Sequence, residues 1–159
     1  MLRLWRKGSR PEPQDRPPLP TISVITPSYN QDRFLGQCIQ SVLDQGYPHL
    51  EYIVVDGAST DGSLGTIKRY EGRLARWVSE PDRGISHAFN KGIRAATGEI
   101  IGFLNSQDFY FTEGSIGRVV EAFRENPGRE IVYGKTYYVP VESEEIVGKA
   151  IAGRRDDLG

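Results

Sequence analysis

The sequence has very little cysteine, no long apolar run and no excess of charge of one sign. Its single cysteine, Cys38, excludes an internal disulfide framework and suits a reducing compartment. No apolar stretch approaches the ~20 residues of a membrane-spanning helix, and the N-terminus lacks the apolar core of a signal peptide. With 20 Lys and Arg against 21 Asp and Glu, no net field favours nucleic acid as a partner. These absences predict a cytoplasmic protein, with peripheral association at the inner face of a membrane left open.

The first 20 residues differ in composition from the rest of the chain. Five prolines interrupt this segment, and five basic side chains outnumber two acidic ones. Such a segment cannot bury enough apolar surface to fold, so residues 1–20 are predicted to be a disordered basic tail. A solvated leader is the preferred interpretation, and weak docking to an anionic membrane, helped by Trp5, is the alternative.

From Thr21 onward, short β-branched runs alternate with segments of helical periodicity. The first strand begins at Ile22 and is predicted to end at Pro27, which has no N–H to donate. Further strands are predicted at 52–56, 76–79, 99–104 (a buried strand) and 130–139, and helices at 34–43, about 63–70, 86–96 and 115–124. This alternation predicts an α/β fold with a mostly parallel sheet and flanking helices over residues 21–159.

Polar or aromatic side chains follow three of these strands at the point where each strand ends. They are Pro27, Tyr29 and Asn30 after the first, Asp56 and Asp61 after the second, and Asn105, Ser106, Gln107 and Asp108 after the 99–104 strand. The carboxyl ends of parallel strands lie on one edge of a sheet, so these groups are expected to meet in one cleft. An aromatic ring can stack on a base, one carboxylate can accept a base N–H, and another can hold Mg²⁺ or Mn²⁺ against a diphosphate. The set therefore fits a nucleotide diphosphate.

Each residue also has a purely structural interpretation. Tyr29 is then a half-buried loop aromatic, and Asp56 is a turn residue, because Asp-Gly is a common turn pair. Asp61 (or Ser59) caps the next helix, and Asp108 caps the helix that follows it. The order of the residues and their position at strand ends favour the binding site.

Four segments, in this order, resemble glycosyltransferase family 2. They are TPSYN (26–30), VVDGASTDGS (54–63), SEPDRGISHAFNKG (79–92) and LNSQD (104–108). The resemblance covers about residues 21–139 and implies a GT-A fold, which is Rossmann-like. It implies inverting transfer of a sugar from a UDP- or dTDP-linked donor, with Mn²⁺ or Mg²⁺, to a saccharide or lipid-linked acceptor. Family habit points to the synthesis of cell-surface polysaccharide or glycolipid.

The resemblance also implies roles for individual residues. Pro27 and Tyr29 would border the base and the ribose, and Asp56 would hydrogen-bond the base. Asp61 would steady the nucleotide loop, and Arg83 would face the nucleotide or the diphosphate. A surface ion pair between Arg83 and its neighbour in the sequence, Asp82, is the structural alternative, and such pairs contribute little stability.

Two residues depart from the family pattern. The family usually has two adjacent carboxylates where this chain has Gln107 and Asp108. Glutamine can hydrogen-bond a ribose hydroxyl but supplies no charge, so Asp108 is the predicted metal ligand and metal binding is expected to be weakened. His87 stands where such sequences often carry aspartate, and no chemistry is assigned to it.

A further departure is length, because the family places its acceptor surface and catalytic base well beyond the segment that ends at Asp108. The chain is therefore interpreted as the donor-binding part of a GT-A domain, with the catalytic base and oligomeric state unassigned. A catalytically impaired or partner-dependent nucleotide-sugar binding remnant is the alternative. An unrelated dinucleotide-binding domain is disfavoured, because no Gly-x-Gly-x-x-Gly turn follows the first strand.

Overall fold

The computed structural model describes residues 18–138 and 148–150, and most of the predicted tail lies outside them. The elements are β1 (Ile22–Ser28), α1 (Asp32–Leu43), β2 (Leu50–Asp56), α2 (Ser63–Tyr70), a 3-10 turn (Glu71–Arg73), β3 (Arg76–Ser79), α3 (Ile85–Ala95), β4 (Ile100–Phe103), α4 (Ser115–Glu125), β5 (Thr136–Tyr138) and β6 (Gly148–Ala150). Strands β1 to β4 form a parallel sheet in the order β3-β2-β1-β4, and β5 pairs with β6 in antiparallel fashion. The predicted α/β class is confirmed.

The two central strands carry the core on both of their faces. Every residue of β1 is buried, which is typical of a parallel strand covered on both sides. Alternate residues point to opposite faces, so Val24 and Val54 pack with residues of α1, α2 and α4, whereas Ile25 and Val55 pack against α3. The sheet therefore lies between two helical layers, and no helix of the described residues is long and apolar enough to cross a bilayer.

Helix α3 lies unusually close to β1. A Cβ built on Gly92 would lie 2.3 Å from Cγ2 of Ile25, so only glycine fits at this crossing. The close approach brings the first turn of α3, with Ile85 and Ala88, up to the carboxyl ends of the strands.

The prediction that Pro27 ends the first strand is wrong, because β1 continues through Pro27 to Ser28. The carbonyl of Ile25 accepts a hydrogen bond from Leu104 on the β4 side, and that of Ser28 accepts one from Gly57 on the β2 side. Backbone groups alternate between the two sides, so Pro27 presents its nitrogen on the β4 side. Pairing with β4 has already ended at Ile25, and no N–H is required there.

Two later strands also differ from their predictions. The strand predicted at 99–104 is β4, but it is not buried: Ile101 is 39% and Phe103 is 53% exposed. β4 is the edge of the described sheet, and Phe103 has one edge-to-face contact with Phe89, at 4.8 Å between ring centroids. Of the strand predicted at 130–139, only β5 forms among the described residues, and Gly134 interrupts the run before it; residue 139 lies outside the described residues.

Candidate functional site

A cleft of about 840 Å³ opens along the carboxyl ends of the four parallel strands. This volume lies in the range of small-molecule sites, and the position is the usual ligand site of an open α/β sheet. The segments after β1, β2, β3 and β4 and the first turn of α3 form its walls. The lining residues are Pro27, Ser28, Tyr29, Gln31, Gly57, Ala58, Pro81, Asp82, Gly84, Ile85, Ala88, Asn105, Ser106, Gln107 and Asp108.

The cleft brings together part of the residue set that the sequence suggested. Pro27, Tyr29, Gln107 and Asp108 line it, and the ring of Tyr29 is 61% exposed. The lining does not include the other suggested residues, which are Asn30, Asp56, Asp61 and Arg83.

Asp56 is fully buried behind the floor of the cleft. Its carboxylate accepts the backbone N–H of Ser59 at 2.9 Å, the hydroxyl of Ser59, and the hydroxyl of Ser79 at 2.7 Å. A buried carboxylate requires such partners, because an unpaired buried charge is very costly. Asp56 thereby ties the loop after β2 to the end of β3.

Asn30 joins the loop after β1 to the loop after β2. Its backbone N–H donates to the hydroxyl of Ser59 at 2.8 Å, and its Oδ1 accepts the N–H of Thr60 at 2.8 Å. Its φ of 52° lies in the left-handed region, which asparagine tolerates better than most residues. Asn30 therefore fixes the backbone next to the exposed ring of Tyr29.

Asp61 holds together the starts of two helices. Its Oδ1 accepts the N–H of Ser63 at 2.9 Å, in the first residue of α2, and its Oδ2 accepts the N–H of Asp32 at 3.0 Å, in the first residue of α1. Hydrogen bonds from Ser63, foremost its hydroxyl, and from the Asp32 amide hold the pKa of this carboxyl below its ordinary value. Asp61 thus fixes the loop that leads from the cleft floor into α2.

The end of β3 contributes a carboxylate that the sequence analysis did not assign to the site. Asp82 lines the cleft, and its Oδ1 accepts the N–H of Gly84 at 2.7 Å. A Cβ on Gly57 would lie 2.8 Å from Oδ2 of Asp82 and 3.2 Å from Cδ2 of Tyr29, so the missing side chain lets loops from three strands meet. The available signal was the acidic loop EPDRG directly after a predicted strand.

Ser28 is a second residue of the site that the sequence analysis did not single out. Its side chain is buried and lines the cleft, and its Oγ has no hydrogen-bond partner among the described residues. Most buried polar atoms in proteins are hydrogen-bonded, so this hydroxyl in the cleft wall is available to a polar ligand or to a water molecule. The signal was the position of Ser28, between Pro27 and Tyr29 in the first motif.

Two basic side chains near the cleft differ in their surroundings. Arg83 is exposed, and the ion pairs found among residues 18–135 do not include one between Arg83 and Asp82. Lys91 is tied back to the loop, with Nζ 3.0 Å from Oε1 of Glu80 and donating to the carbonyl of Pro81 at 3.0 Å. The Lys91 ammonium therefore braces the loop after β3.

Asp108 is the carboxylate of the cleft that suits a metal ion. It is exposed, and its Oδ2 accepts one hydrogen bond, from Nδ2 of Asn105 at 3.0 Å. Among the described residues there is no group of three or more acidic, histidine or cysteine side chains that would make a cage. Mg²⁺ commonly binds one or two carboxylates together with substrate phosphates, so this donor set fits an ion shared with a bound diphosphate.

Cys38 lies in the core and does not line the cleft. Burial raises the pKa of its thiol to about 11, while hydrogen bonds with the hydroxyls of Thr26 and Tyr52 act in the opposite direction. The thiol therefore stays protonated near neutral pH and is no nucleophile.

Comparison with protein families gives a match to the model described as Glycosyl transferase family 2, over residues 23–153. The putative teichuronic acid biosynthesis glycosyltransferase TuaG of Bacillus subtilis is 41% identical over 92 residues, which are 56% of this chain and 36% of TuaG. The chondroitin synthase of Escherichia coli is 28% identical over 131 residues, 81% of this chain and 19% of the synthase. The chain thus spans well under half the length of these relatives.

Solved structures of similar fold are also glycosyltransferases. The mannosyltransferase PcManGT from Pyrobaculum calidifontis, in complex with GDP-Man and Mn²⁺, has a TM-score of 0.61 and 32% identity, and the match covers 65% of this chain and 32% of that one. S. aureus TarS has a TM-score of 0.58 and 25% identity, with 70% of this chain and 23% of TarS covered. The parallel sheet and its helices match the GT-A fold of these neighbours.

Proposed function

The chain belongs to glycosyltransferase family 2, and on that premise we propose that its cleft binds the nucleotide-diphosphate part of a UDP- or dTDP-linked sugar for transfer to an acceptor. The observation that carries the proposal is the cleft itself, where an exposed ring, an orphaned hydroxyl and two carboxylates meet at the ends of four parallel strands. An activated sugar offers a planar base, ribose hydroxyls and a diphosphate, which match these groups.

The base and ribose lie, in this proposal, against the segments after β1 and β2. Tyr29 stacks on the base and Pro27 borders it, because an exposed aromatic face favours a planar partner. The Oγ of Ser28 gains its missing hydrogen bond from the nucleotide. Asp56 is fully buried and does not line the cleft, so in this proposal it holds the loop beside the base through Ser59 and Ser79, and its hydrogen bond to a base N–H stays a prediction.

The diphosphate lies between α3 and the segment after β4. The N-terminus of α3 carries the positive end of the helix dipole, which favours a phosphate. Arg83 reaches the same region from the exposed loop and adds a cation, and Gln107 hydrogen-bonds a ribose hydroxyl. An Mn²⁺ or Mg²⁺ ion held by Asp108 would neutralise charge on the leaving diphosphate when bound.

We propose only a chemical class for the acceptor. Relatives named for teichuronic acid and chondroitin synthesis support a saccharide or lipid-linked acceptor in surface polysaccharide or glycolipid assembly. We propose that this takes place in the cytoplasm, and association of the basic segment 1–20 with anionic lipid at the inner face of the membrane stays the alternative to a solvated leader. Inverting transfer needs a base that deprotonates the acceptor hydroxyl, and we assign no described residue to it.

Calorimetric titration with UDP, dTDP and GDP, with and without Mn²⁺, tests the proposal. We expect saturable UDP binding that Mn²⁺ strengthens, that Asp56→Ala abolishes, and whose Mn²⁺ effect disappears in Asp108→Asn. Asp44→Asn is the matched control, because Asp44 ends α1 away from the cleft and pairs with Arg73. Failure of all three nucleotides to bind, under conditions where the protein is folded, would overturn the proposed function.

A second candidate function is favoured by one observation, the neutral Gln107 beside Asp108 in the cleft wall. In that case the chain binds a nucleotide sugar but is catalytically impaired or depends on a partner chain. Gln107→Asp, which restores the second carboxylate, then gives donor hydrolysis or transfer that the native chain lacks. Turnover by the native chain alone would remove this candidate.

A further inference from the structure

His87 lies in the first turn of α3, beside the loop that forms one wall of the cleft. Its Nδ1 accepts the backbone N–H of Arg83 at 3.1 Å, and its own backbone N–H donates to the carbonyl of Gly84 at 2.9 Å. Because Nδ1 is the acceptor, the proton of the neutral ring is on Nε2. The side chain therefore closes the loop back onto the start of the helix.

This contact lies at the start of a helix that has no side-chain cap. Gly84 occupies the N-cap position with a φ of 103° and has no side chain to accept a hydrogen bond. In a capping box, the side chain at the third helical position accepts the backbone N–H of the N-cap residue; His87 occupies that position but accepts the N–H one residue earlier, from Arg83. The N–H groups of Arg83 and Gly84 are thus each satisfied by one side chain, from His87 and Asp82 respectively.

The loop that His87 holds is part of the cleft. Pro81, Asp82 and Gly84 line the cleft, and the N–H that His87 accepts belongs to Arg83, in the middle of this run. Lys91, four residues after His87 and on the same helix face, donates to the carbonyl of Pro81 at 3.0 Å. Two side chains of α3 thus hold the loop, and His87 is the one next to its cleft-lining end.

We propose that His87 is a positioning residue for the donor cleft, and that its imidazole must be neutral for the loop to keep its binding conformation. The donor-binding part of this proposal rests on the proposed function. Once protonated, both ring nitrogens are donors, so Nδ1 faces the N–H of Arg83 as a second donor and the contact is lost. Imidazole is the side chain that ordinarily gains its proton between pH 5 and 8.

Other charged groups lie near His87. They are Asp82 and Arg83 in the loop, Lys91 on α3 with its partner Glu80, and Asp108 across the cleft. The chain has two histidines, and the other, His49, precedes β2 at the opposite end of the strands, where its carbonyl accepts the N–H of Ile22.

The contact can be measured without any nucleotide, from the amide resonance of Arg83 in two-dimensional ¹⁵N–¹H NMR spectra between pH 5 and 8. We expect this resonance to shift with pH in the native chain and in His49→Asn. In His87→Asn it should stay constant, because the Asn oxygen accepts the same N–H and does not titrate. An Arg83 resonance that is constant in the native chain would overturn the proposed contact.

The effect on the cleft is then measured as UDP affinity, with Mn²⁺ present, at pH 5.5 and at pH 8. Loss of one hydrogen bond of ordinary strength predicts that the affinity of the native chain falls about fivefold more than that of His87→Asn. His87→Leu, which has no acceptor, should bind weakly at both pH values. A change in the protonation of UDP with pH affects every variant equally, so it does not contribute to the difference in affinity between variants.

Two results are unfavourable, and they are distinguishable. If the native chain and His87→Asn bind UDP with the same pH dependence, the positioning role is wrong although the proposed function stands. If no variant binds UDP at any pH, the proposed function fails and the donor-binding part of this inference fails with it, while the Arg83 resonance still decides the contact.

Discussion

Gly57 lies so close to Asp82 that a Cβ at position 57 would come within 2.8 Å of Oδ2 of the carboxylate. The same Cβ would lie 3.2 Å from the ring of Tyr29. The backbone of the loop after β2 is therefore the spacer between an aromatic ring from β1 and a carboxylate from β3. The shape of the cleft depends on the absence of a side chain at this position.

Gly57→Ala tests this spacing. The added methyl group should displace the side chains of Asp82 and Tyr29, whereas the fold should persist because the nearest atom is the end of a flexible side chain. We expect UDP affinity to fall about fivefold, equivalent to one contact of ordinary strength. Gly65→Ala is the control, because its Cβ meets no atom within 4 Å. Unchanged affinity in Gly57→Ala would show that these side chains do not set the cleft.

Ser28→Ala should separate binding from stability. The hydroxyl of Ser28 is buried with no hydrogen-bond partner among the described residues, and such a group is destabilising by about 1–3 kcal/mol. Its removal should therefore leave the free energy of unfolding unchanged or higher, while UDP affinity falls about fivefold.

Ser79→Ala serves as the comparison for Ser28→Ala in urea unfolding. The Ser79 hydroxyl donates to the buried carboxylate of Asp56 at 2.7 Å, so its loss should lower the free energy of unfolding by about 1.5–3 kcal/mol. Equal destabilisation by the two substitutions would contradict the interpretation of Ser28 as a ligand contact.

Gly92→Ala should destabilise the fold, because the new Cβ would lie 2.3 Å from Cγ2 of Ile25. Overpacking of this kind costs about 1–3 kcal/mol. The matched substitution is Gly117→Ala in α4, where no atom lies within 4 Å and helix propensity favours alanine by about 1 kcal/mol. Urea unfolding should give effects of opposite sign, and destabilisation by both would contradict the packing argument.

Glu51 should make stability depend on acid pH. Partial burial raises the pKa of Glu51, but hydrogen bonds from the hydroxyl of Ser23 and from the N–H and hydroxyl of Thr97 outweigh it, so the pKa is lowered in the folded chain. A lowered folded-state pKa means that the contribution is present above the unfolded value, about 4.5, and is lost as pH falls through the folded one. The difference in unfolding free energy between the native chain and Glu51→Gln should therefore shrink below pH 4.5.

The control for the Glu51 series is Glu121→Gln, which changes an exposed carboxylate of α4. The free energy of unfolding of Glu121→Gln should differ little from that of the native chain at every pH. If the difference in unfolding free energy between the native chain and Glu51→Gln is constant from pH 6 to pH 3, the hydrogen bonds from Ser23 and Thr97 do not favour the charged form of Glu51.

Much of the fold was predictable because apolar runs and helical stripes alternate so clearly. The stripe containing Leu35, Cys38 and Val42 became α1, and the helix predicted at about 63–70 is α2 with the same bounds. The prediction that Pro27 ends β1 was wrong because a missing N–H breaks a strand only where a neighbouring strand would accept a hydrogen bond from it. Pairing with β4, on the side of the Pro27 nitrogen, has already ended at Ile25. The exposure of Phe103 was not predictable, because an edge strand and a central strand have similar sequences.

The site was predictable in its position more than in its contacts. Strand-end motifs indicated the edge of the sheet, since topology brings those ends together. Which groups line the cleft depends on loop geometry: Asp56 is turned inward by Ser59 and Ser79, whereas Asp82 reaches the wall because Gly57 leaves room. Such contacts between distant loops leave no periodic signal in the sequence.

The central claim, that the cleft holds a nucleotide diphosphate and its metal ion, is tested most directly by paramagnetic broadening of amide resonances. Mn²⁺ is titrated into the ¹⁵N-labelled chain in the presence of excess UDP. The account predicts broadening centred on the segment from Asn105 to Asp108 and spreading to Gly57 and Gly84, and its absence in Asp108→Asn. Broadening centred elsewhere, such as on Glu99 and Glu130 at the opposite end of the sheet, would contradict it.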